Sequence, residues 1–414
     1  MERIIQQYCP DEKTLVISEL TGHEFNYTLS LFDKQTLAFL NSISRLLLTD
    51  KTYNRHPEIA ALGFWLRETN VRAMQKENAL WLDSALYSVN PLGLVFHVAP
   101  SNVDTIFLYS ACISLLTGNR NIIRISSSRQ SQVIIFIINC INKALQNARF
   151  KIFSDYIKII TYPHNDSINK FISSNVNCRV IWGGDSTVSY FKGIPGAVYT
   201  KDILFPNRIS YSLFDAKAWL NNDEKKRADT AYSFFNDAYT FDQLGCSSPR
   251  IIYVLGSVDE KNSFINDFYK HLSKVAEERY HEQAAVLSTQ KFNLLADDAI
   301  AHNKINALHS NNAVYMLEAN NGHIHPETCV GGYFYIKHIN SLKDIANHLP
   351  QSAQTLTYSG ISHTQLAELN TALFGKRIDR IVPVGQALAF NYIWDGMNLF
   401  EELSRKRYLE LKKL

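Results

Sequence analysis

The chain has 414 residues and is predicted to be an α/β protein with two parallel-sheet domains. Three observations predict this. From Pro91 onward, short apolar runs alternate with helix-length segments. The same alternation starts again after Cys246. The length allows two or three packed domains rather than one core.

Residues up to about Ser88 look like mixed helices, with aromatic side chains at Phe64, Trp65 and Trp81; they are assigned to an N-terminal helical region, 1–90. Leu92–Ala99 is an apolar run bounded by Pro91 and Pro100, as expected of a buried strand. Val103–Thr117 then reads as a helix apolar on most sides and stopped by Gly118-Asn119. Asn121–Ser126 predicts a second strand and Gln130–Asn147 a second helix. Tyr156–Thr161 and Arg179–Trp182 predict further strands. Strand–helix alternation of this length means βαβ units and a parallel sheet covered on both faces. Residues 91–240 are therefore expected to be a dinucleotide-binding type of domain, although they lack a Gly-x-Gly-x-x-Gly fingerprint.

The second α/β stretch, 241–375, has strands at Ile251–Leu255, Gly332–Ile339 and Thr355–Tyr358. Helices are expected at Asn262–Glu278 and Ser341–His348. The tail, 376–414, carries a Pro/Gly-punctuated segment, Val382–Gln386. A charged helix over Glu402–Lys413 is expected to end it, packing back or making an oligomer contact.

Hydrophobic residues make up 46% and charged residues 20%, and the net charge is +3. That balance is ordinary for a globular protein and argues against nucleic acid or anionic membrane as the main partner. Met1–Tyr8 is polar and no apolar run follows, so no signal peptide is expected. Val133–Ile138, the most apolar stretch, is too short to span a membrane. The six cysteines are scattered, as in a reduced cytoplasmic protein with free thiols.

Four segments could carry chemistry. In FDQLGCSSPR, Cys246 follows Gly245 on a loop before an apolar strand, where a thiolate can be stabilised; the plain alternative is a small residue in a tight turn. In APSNV, Asn102 follows the first strand and can donate to an oxyanion; equally, Asn is a good helix N-cap. In GNRNIIRISSS, Arg124 ends the second strand and hydroxyls follow, Ser126 among them. That combination suits an adenosine ribose or its 2′-phosphate, and an exposed strand end is the alternative. In VIWGGDST, Gly183 and Gly184 allow close backbone approach, and Ser186 or Thr187 can cap a helix whose N-terminus favours phosphate. His323, His325 and Cys329 lack a second ligand pair at metal spacing, so no metal is expected. Glu277-Glu278 and Asp297-Asp298 look like solvated helix faces.

Taken in order, these segments resemble the aldehyde dehydrogenase superfamily. Within it they are most similar to the acyl-CoA reductase family, typified by the fatty acid reductase component of bacterial bioluminescence systems. The likeness runs roughly from Pro91 to Arg405. LVFHVAPSN resembles the strand and oxyanion Asn, which puts that role on Asn102. GNRNIIRIS resembles a strand ending in Lys-Pro-Ser, with Arg124 at the Lys position and Ser126 at the Ser. VIWGGDST resembles the turn beneath the cofactor's pyrophosphate. GCSSPR resembles the nucleophile segment, which puts the thiol on Cys246. RIVPVGQALAFNYIWDG resembles the C-terminal signature.

The resemblance implies an active site between two α/β domains, NADPH as cofactor with NADH as the alternative, and a fatty acyl substrate. It also implies acyl-CoA or an acyl-protein synthetase as acyl donor, and a homo-oligomer. One departure is informative. Hydrolytic members carry a Glu-Leu-Gly-Gly-Lys segment whose Glu activates water, whereas FPNRISYSL (Phe205–Leu213) holds no acid. An acyl-enzyme without a base is not readily hydrolysed, which favours an acylating reductase. Two rivals stay open: a hydrolytic dehydrogenase with an acid supplied from elsewhere near Arg208, and a Cys acyltransferase or thioesterase with no nicotinamide.

Overall fold

The structure is a computed structural model and describes residues 4–21, 29–53, 56–82, 87–127, 131–301, 305–319, 324–347 and 349–410. The chain forms two compact units, residues 1–206 with 390–414, and residues 207–389.

The first unit opens with an antiparallel hairpin, β1 (Ile4–Cys9) and β2 (Lys13–Val16). The helices expected at the N-terminus begin only after it, with Lys34–Thr49, Pro57–Trp65 and Glu68–Glu77. The hairpin escapes a pattern reading because β1 sets polar Gln6 and Gln7 inside a six-residue run, and its pairing partner β6 lies far along the chain. β3 (Tyr87–Pro91) leads into β4 (Leu94–Val98), β5 (Arg120–Arg124), β6 (Ile157–Thr161), β7 (Cys178–Trp182) and β8 (Lys201–Phe205). The sheet order is β2-β1-β6-β5-β4-β7-β8, parallel from β6 to β8.

All five residues of β4 are buried. So are all eleven of the helix Ile106–Leu116 that follows it. Each large apolar side chain withdrawn from water in such a layer is worth about 1.5–3 kcal/mol. The order of the parallel strands reverses beside β4, with β5 on one side and β7 on the other. A doubly wound sheet binds ligands at the carboxyl ends of the strands at such a switch point.

The second unit holds β9 (Ile209–Asp215), β10 (Pro249–Leu255), β11 (Ile305–Ser310), β12 (Tyr315–Ala319), β13 (Tyr333–Ile339), β14 (Ala353–Ser359) and β15 (Arg380–Pro383). They lie in the order β11-β12-β13-β10-β9-β14-β15, and only the β11–β12 pair is antiparallel. The units divide at 206/207 rather than at the expected 240/241, because β9 is a buried inner strand of this sheet and the helix Glu224–Tyr239 packs in its core. The helix expected over Asn262–Glu278 runs over Val258–Ala301. It carries Asp298, which is buried and accepts from Tyr333 Oη (2.5 Å) and Tyr335 Oη (2.8 Å). Asp298 is thus no part of a solvated face; Asp297 is exposed.

The chain then returns to the first unit through β16 (Ile393–Trp394), β17 (Met397–Asn398) and β18 (Ser404–Tyr408). Where the final helix Glu402–Lys413 is expected, the described residues form β18, which pairs antiparallel with β3 from Ser404↔Pro91 to Tyr408↔Tyr87; residues 411–413 lie outside the described residues. Tertiary pairing overrides the helical preference of the charged run here. Among the described residues, no helix is long and apolar enough to cross a membrane, and no three His, Cys, Asp or Glu side chains gather as a metal site would require. His323 lies outside the described residues; His325 Nδ1 sits 3.2 Å from Glu327 Oε1.

Candidate active site

Five of the six candidate residues stand at the carboxyl edge of the first sheet. Asn102 is exposed on the loop after β4. It is not the N-cap of the next helix, because that position falls on Thr105. Arg124 is the last residue of β5 and Ser126 follows two places on. Ser126 and Ile125 line a small cavity together with Pro100, Ser101 and Asp104, so the structure brings the β4 loop and the β5 end together. The Arg124 guanidinium lies 4.8 Å over the Tyr162 ring, and its Nη2 donates to the Tyr162 carbonyl (3.4 Å). Its Nε is buried without a hydrogen-bond partner.

Gly183 and Gly184 follow β7, on the other side of the switch point. Gly183 N–H donates to the Phe205 carbonyl (3.2 Å). A Cβ on Gly183 would come within 2.9 Å of the Thr187 side chain, so the turn fits only glycine without rearrangement. Gly184 is itself the N-cap of the helix Asp185–Lys192 and supplies no side-chain cap. Ser186 and Thr187, expected as caps, instead lie in the first turn of that helix.

Cys246 stands at the amino edge of the second sheet, on the loop between the helix Glu224–Tyr239 and β10. It is half-buried, whereas Cys9, Cys112, Cys140, Cys178 and Cys329 are buried. Burial pushes the Cys140 and Cys178 thiols up to about 12, and those of Cys9, Cys112 and Cys329 up as well. These five are packing residues that resist ionisation.

The loop before Cys246 is tightly built. Asp242 and Gln243 adopt positive φ (52° and 64°). Tyr280 Oη donates to the Asp242 carboxylate, and Gly331 N–H donates to the Asp242 carbonyl (2.9 Å). The buried Gln243 amide donates to the carbonyls of Pro249 and Tyr333 and accepts from Gly332 and Tyr333 N–H. Two left-handed non-glycine residues cost free energy, and this ring of bonds offsets it. Gly245 leaves little room on its own account: a Cβ there would stand 3.0 Å from Ser248 Oγ and 3.5 Å from Leu388 Cδ2.

Leu388 belongs to the Arg380–Gly396 segment. The turn that carries it is held by Asp237, whose carboxylate accepts from Gly385 N–H (2.6 Å) and Ala387 N–H (2.9 Å). Arg380 donates to the carbonyls of Ala387, Gln386 and Ala389 (2.8–3.0 Å). Burial pushes the Asp237 carboxyl up to about 7, against the pull of the two N–H donors.

Sequence reasoning missed two side chains at Cys246. Ser210 Oγ, near the start of β9, donates to the Cys246 carbonyl (2.7 Å). Gln354 Nε2, near the start of β14, donates to Cys246 Sγ (3.5 Å). β10, β9 and β14 are adjacent and parallel, so their amino ends converge. Ser210 lies inside the acid-free FPNRISYSL segment. Nothing local marks Gln354, which is 108 positions from Cys246. An acid does stand beside Arg208: Asp379 Oδ2 is 3.1 Å from its Nη2, and Asp379 N–H donates to the Gln354 carbonyl (2.8 Å).

A model of the acyl-CoA reductase (LuxC) family matches residues 74–406. The chain belongs to that family. As an acyl-CoA reductase it reduces an acyl group to the aldehyde, and its fold is that of the aldehyde dehydrogenases. An aldehyde dehydrogenase from Brucella melitensis biovar abortus is 11% identical with a TM-score of 0.64, over 98% of this chain and 93% of that one. An NADP-dependent enzyme of E. coli is 9% identical with a TM-score of 0.64, over 99% and 94%. A glyceraldehyde-3-phosphate dehydrogenase from Methanocaldococcus jannaschii, complexed with NADP, is 14% identical with a TM-score of 0.59, over 92% and 90%. No curated protein matches the chain.

Proposed function

We propose that this acyl-CoA reductase works through a Cys246 acyl-enzyme on a fatty acyl thioester, with NADPH as reductant. The observation that carries the reading is the contrast among the thiols. Cys246 alone is partly open to solvent, and it sits on an edge built to hold it. Its thiolate adds to the thioester carbonyl and the donor thiolate leaves with its electron pair, so one C–S bond replaces another. The Asn102 amide donates to the oxygen that becomes charged.

When bound there, NADPH would supply the hydride needed to take a Cys246-bound acyl group to the aldehyde level. The bond to Sγ then breaks, the electron pair returns to sulfur, and the aldehyde leaves. The residues present fit the cofactor. Arg124 brings a buried, unpartnered Nε and a guanidinium held on Tyr162 to a strand end, suited to a 2′-phosphate. Ser126 offers a hydroxyl beside it, and Gly183-Gly184 bring main chain to the start of a helix, which favours pyrophosphate. NADH is the weaker alternative. An acyl-protein synthetase as donor, homo-oligomerisation and a cytoplasmic setting complete the reading.

The hydrolytic alternative has one observation behind it, the placement of Asp379 beside Arg208. That carboxylate is already paired with the buried Arg208 guanidinium at 3.1 Å. Incubation with a fatty aldehyde and NADP⁺ alone tests both readings. Turnover is expected to stall after about one acyl group per chain, to resume on adding CoA, and to be absent in Cys246→Ala. Sustained free acid that disappears in Asp379→Asn would establish the hydrolytic enzyme instead.

A further inference from the structure

We infer that Gln354 is a catalytic residue that donates a hydrogen bond to the sulfur of Cys246 whenever that sulfur carries negative charge. The inference rests on the reading of Cys246 as nucleophile and adds a second group at the reacting atom.

The geometry fixes which end of the amide meets the sulfur. Gln354 Oε1 accepts from Ser247 Oγ (3.2 Å) and from Thr355 Oγ1 (3.5 Å), which leaves Nε2 facing Sγ at 3.5 Å. Gln354 is only 3% exposed. Its backbone is anchored as well, because the Gln354 carbonyl accepts from Asp379 N–H. A short ring of bonds ties both halves of the pair together. Thr355 N–H donates to Ser210 Oγ (3.2 Å), and Ser210 Oγ donates to the Cys246 carbonyl. Cys246 is thus held at its main chain by Ser210 of β9, which Thr355 of β14 fixes in turn, and at its sulfur by Gln354 of β14.

A neutral thiol is a poor acceptor, so a buried N–H aimed at it is weakly satisfied. A thiolate in the same place makes a charge-assisted bond of roughly twice the strength. The donor therefore favours the ionised sulfur. That form occurs twice in the reaction: before addition to the acyl carbonyl, and again when the electron pair returns to Sγ as the aldehyde leaves.

The test is the pH profile of iodoacetamide alkylation at Cys246 in the full-length protein, followed by peptide mass spectrometry. Gln354→Ala and Gln354→Met remove the donor, and Gln354→Glu replaces it with a carboxylate of the same shape. The charged groups on the elements that carry the site are the same in the Ala and Met variants: Arg208 with Asp379, Arg250, and Asp242 bonded to Tyr280.

The midpoint is expected to rise by about one pH unit in the Ala and Met variants, a tenfold lower rate at neutral pH. In the Glu variant it is expected to rise further. The limiting rate at high pH stays unchanged, and kcat for acyl reduction falls in step. An unshifted midpoint in all three, with Cys246 still the acylated residue, would overturn the role of Gln354 alone. Acyl labelling that maps to another cysteine and survives Cys246→Ser would overturn the nucleophile reading beneath it.

Discussion

At the carboxyl edge of the first sheet, the candidate residues are exposed or half-exposed, and each ends or follows its own strand: Asn102 after β4, Arg124 and Ser126 with β5, Gly183 and Gly184 after β7. At the amino edge of the second sheet, Cys246 is ringed by buried polar groups, Ser210, Gln243, Ser247 and Gln354, that bond to its loop or to one another. On the proposed reading, the first edge presents its exposed groups to a ligand. The second spends its polar side chains on fixing one sulfur. Substitutions at the two edges should accordingly separate chemistry from stability in opposite ways.

Away from Cys246 itself, the largest effect is expected at Asn102. Asn102→Ala should lower kcat by about 10²–10³, the loss typical of one oxyanion donor. Because the side chain is exposed, the melting temperature should stay within a degree or so of the parent. A large drop in melting temperature would show that the first edge is as structural as the second.

Next comes Arg124→Ala, with an expected loss of roughly tenfold or more in NADPH affinity, as for a charge-assisted bond, while NADH binding stays unchanged. Titration of both nucleotides by fluorescence quenching checks this. An equal loss for both would move the contact away from the 2′-phosphate.

The smallest effect concerns the second unit and is one of stability. The Asp237 carboxyl is pushed up from its ordinary 3.8 to about 7 in the folded chain. Between those pH values the folded state holds a proton that the unfolded state has lost, so this group's contribution to stability falls as pH rises from about 4 to 7. Asp237→Asn should flatten that dependence and narrow the melting-temperature gap between pH 5 and pH 8 by a few degrees. An unchanged gap would show that Asp237 titrates alike in both states.

The two edges also differ in what the sequence discloses. The first could be read one strand at a time, because an apolar run bounded by prolines or glycines names both the strand and the residue just past it. Arg124 as the last residue of β5 and the Gly-Gly turn after β7 are such cases. At the second edge only Cys246 announces itself. Ser210 and Gln354 reach it because three strands distant in sequence lie side by side, and no local pattern encodes that adjacency. The same limit explains the other differences. β1 pairs with β6 as well as with β2, and β18 with β3, so part of their strand character comes from partners distant in sequence. Asp298 looks solvated in its own helix, and only the tyrosines of β13 reveal it as buried.

The first unit is closed by a stretch synthesised after the whole of the second. Residues 207–389 leave the ribosome as one uninterrupted block and can fold as a unit. At that moment β3 lacks β18, and Tyr109 lacks the Phe390 and Trp394 rings that pack 5.2 and 5.5 Å from its own. A nascent chain stalled at residue 389 would therefore carry a finished thiol-bearing second unit and an unfinished first one, a ready substrate for chaperones until residues 390–408 arrive.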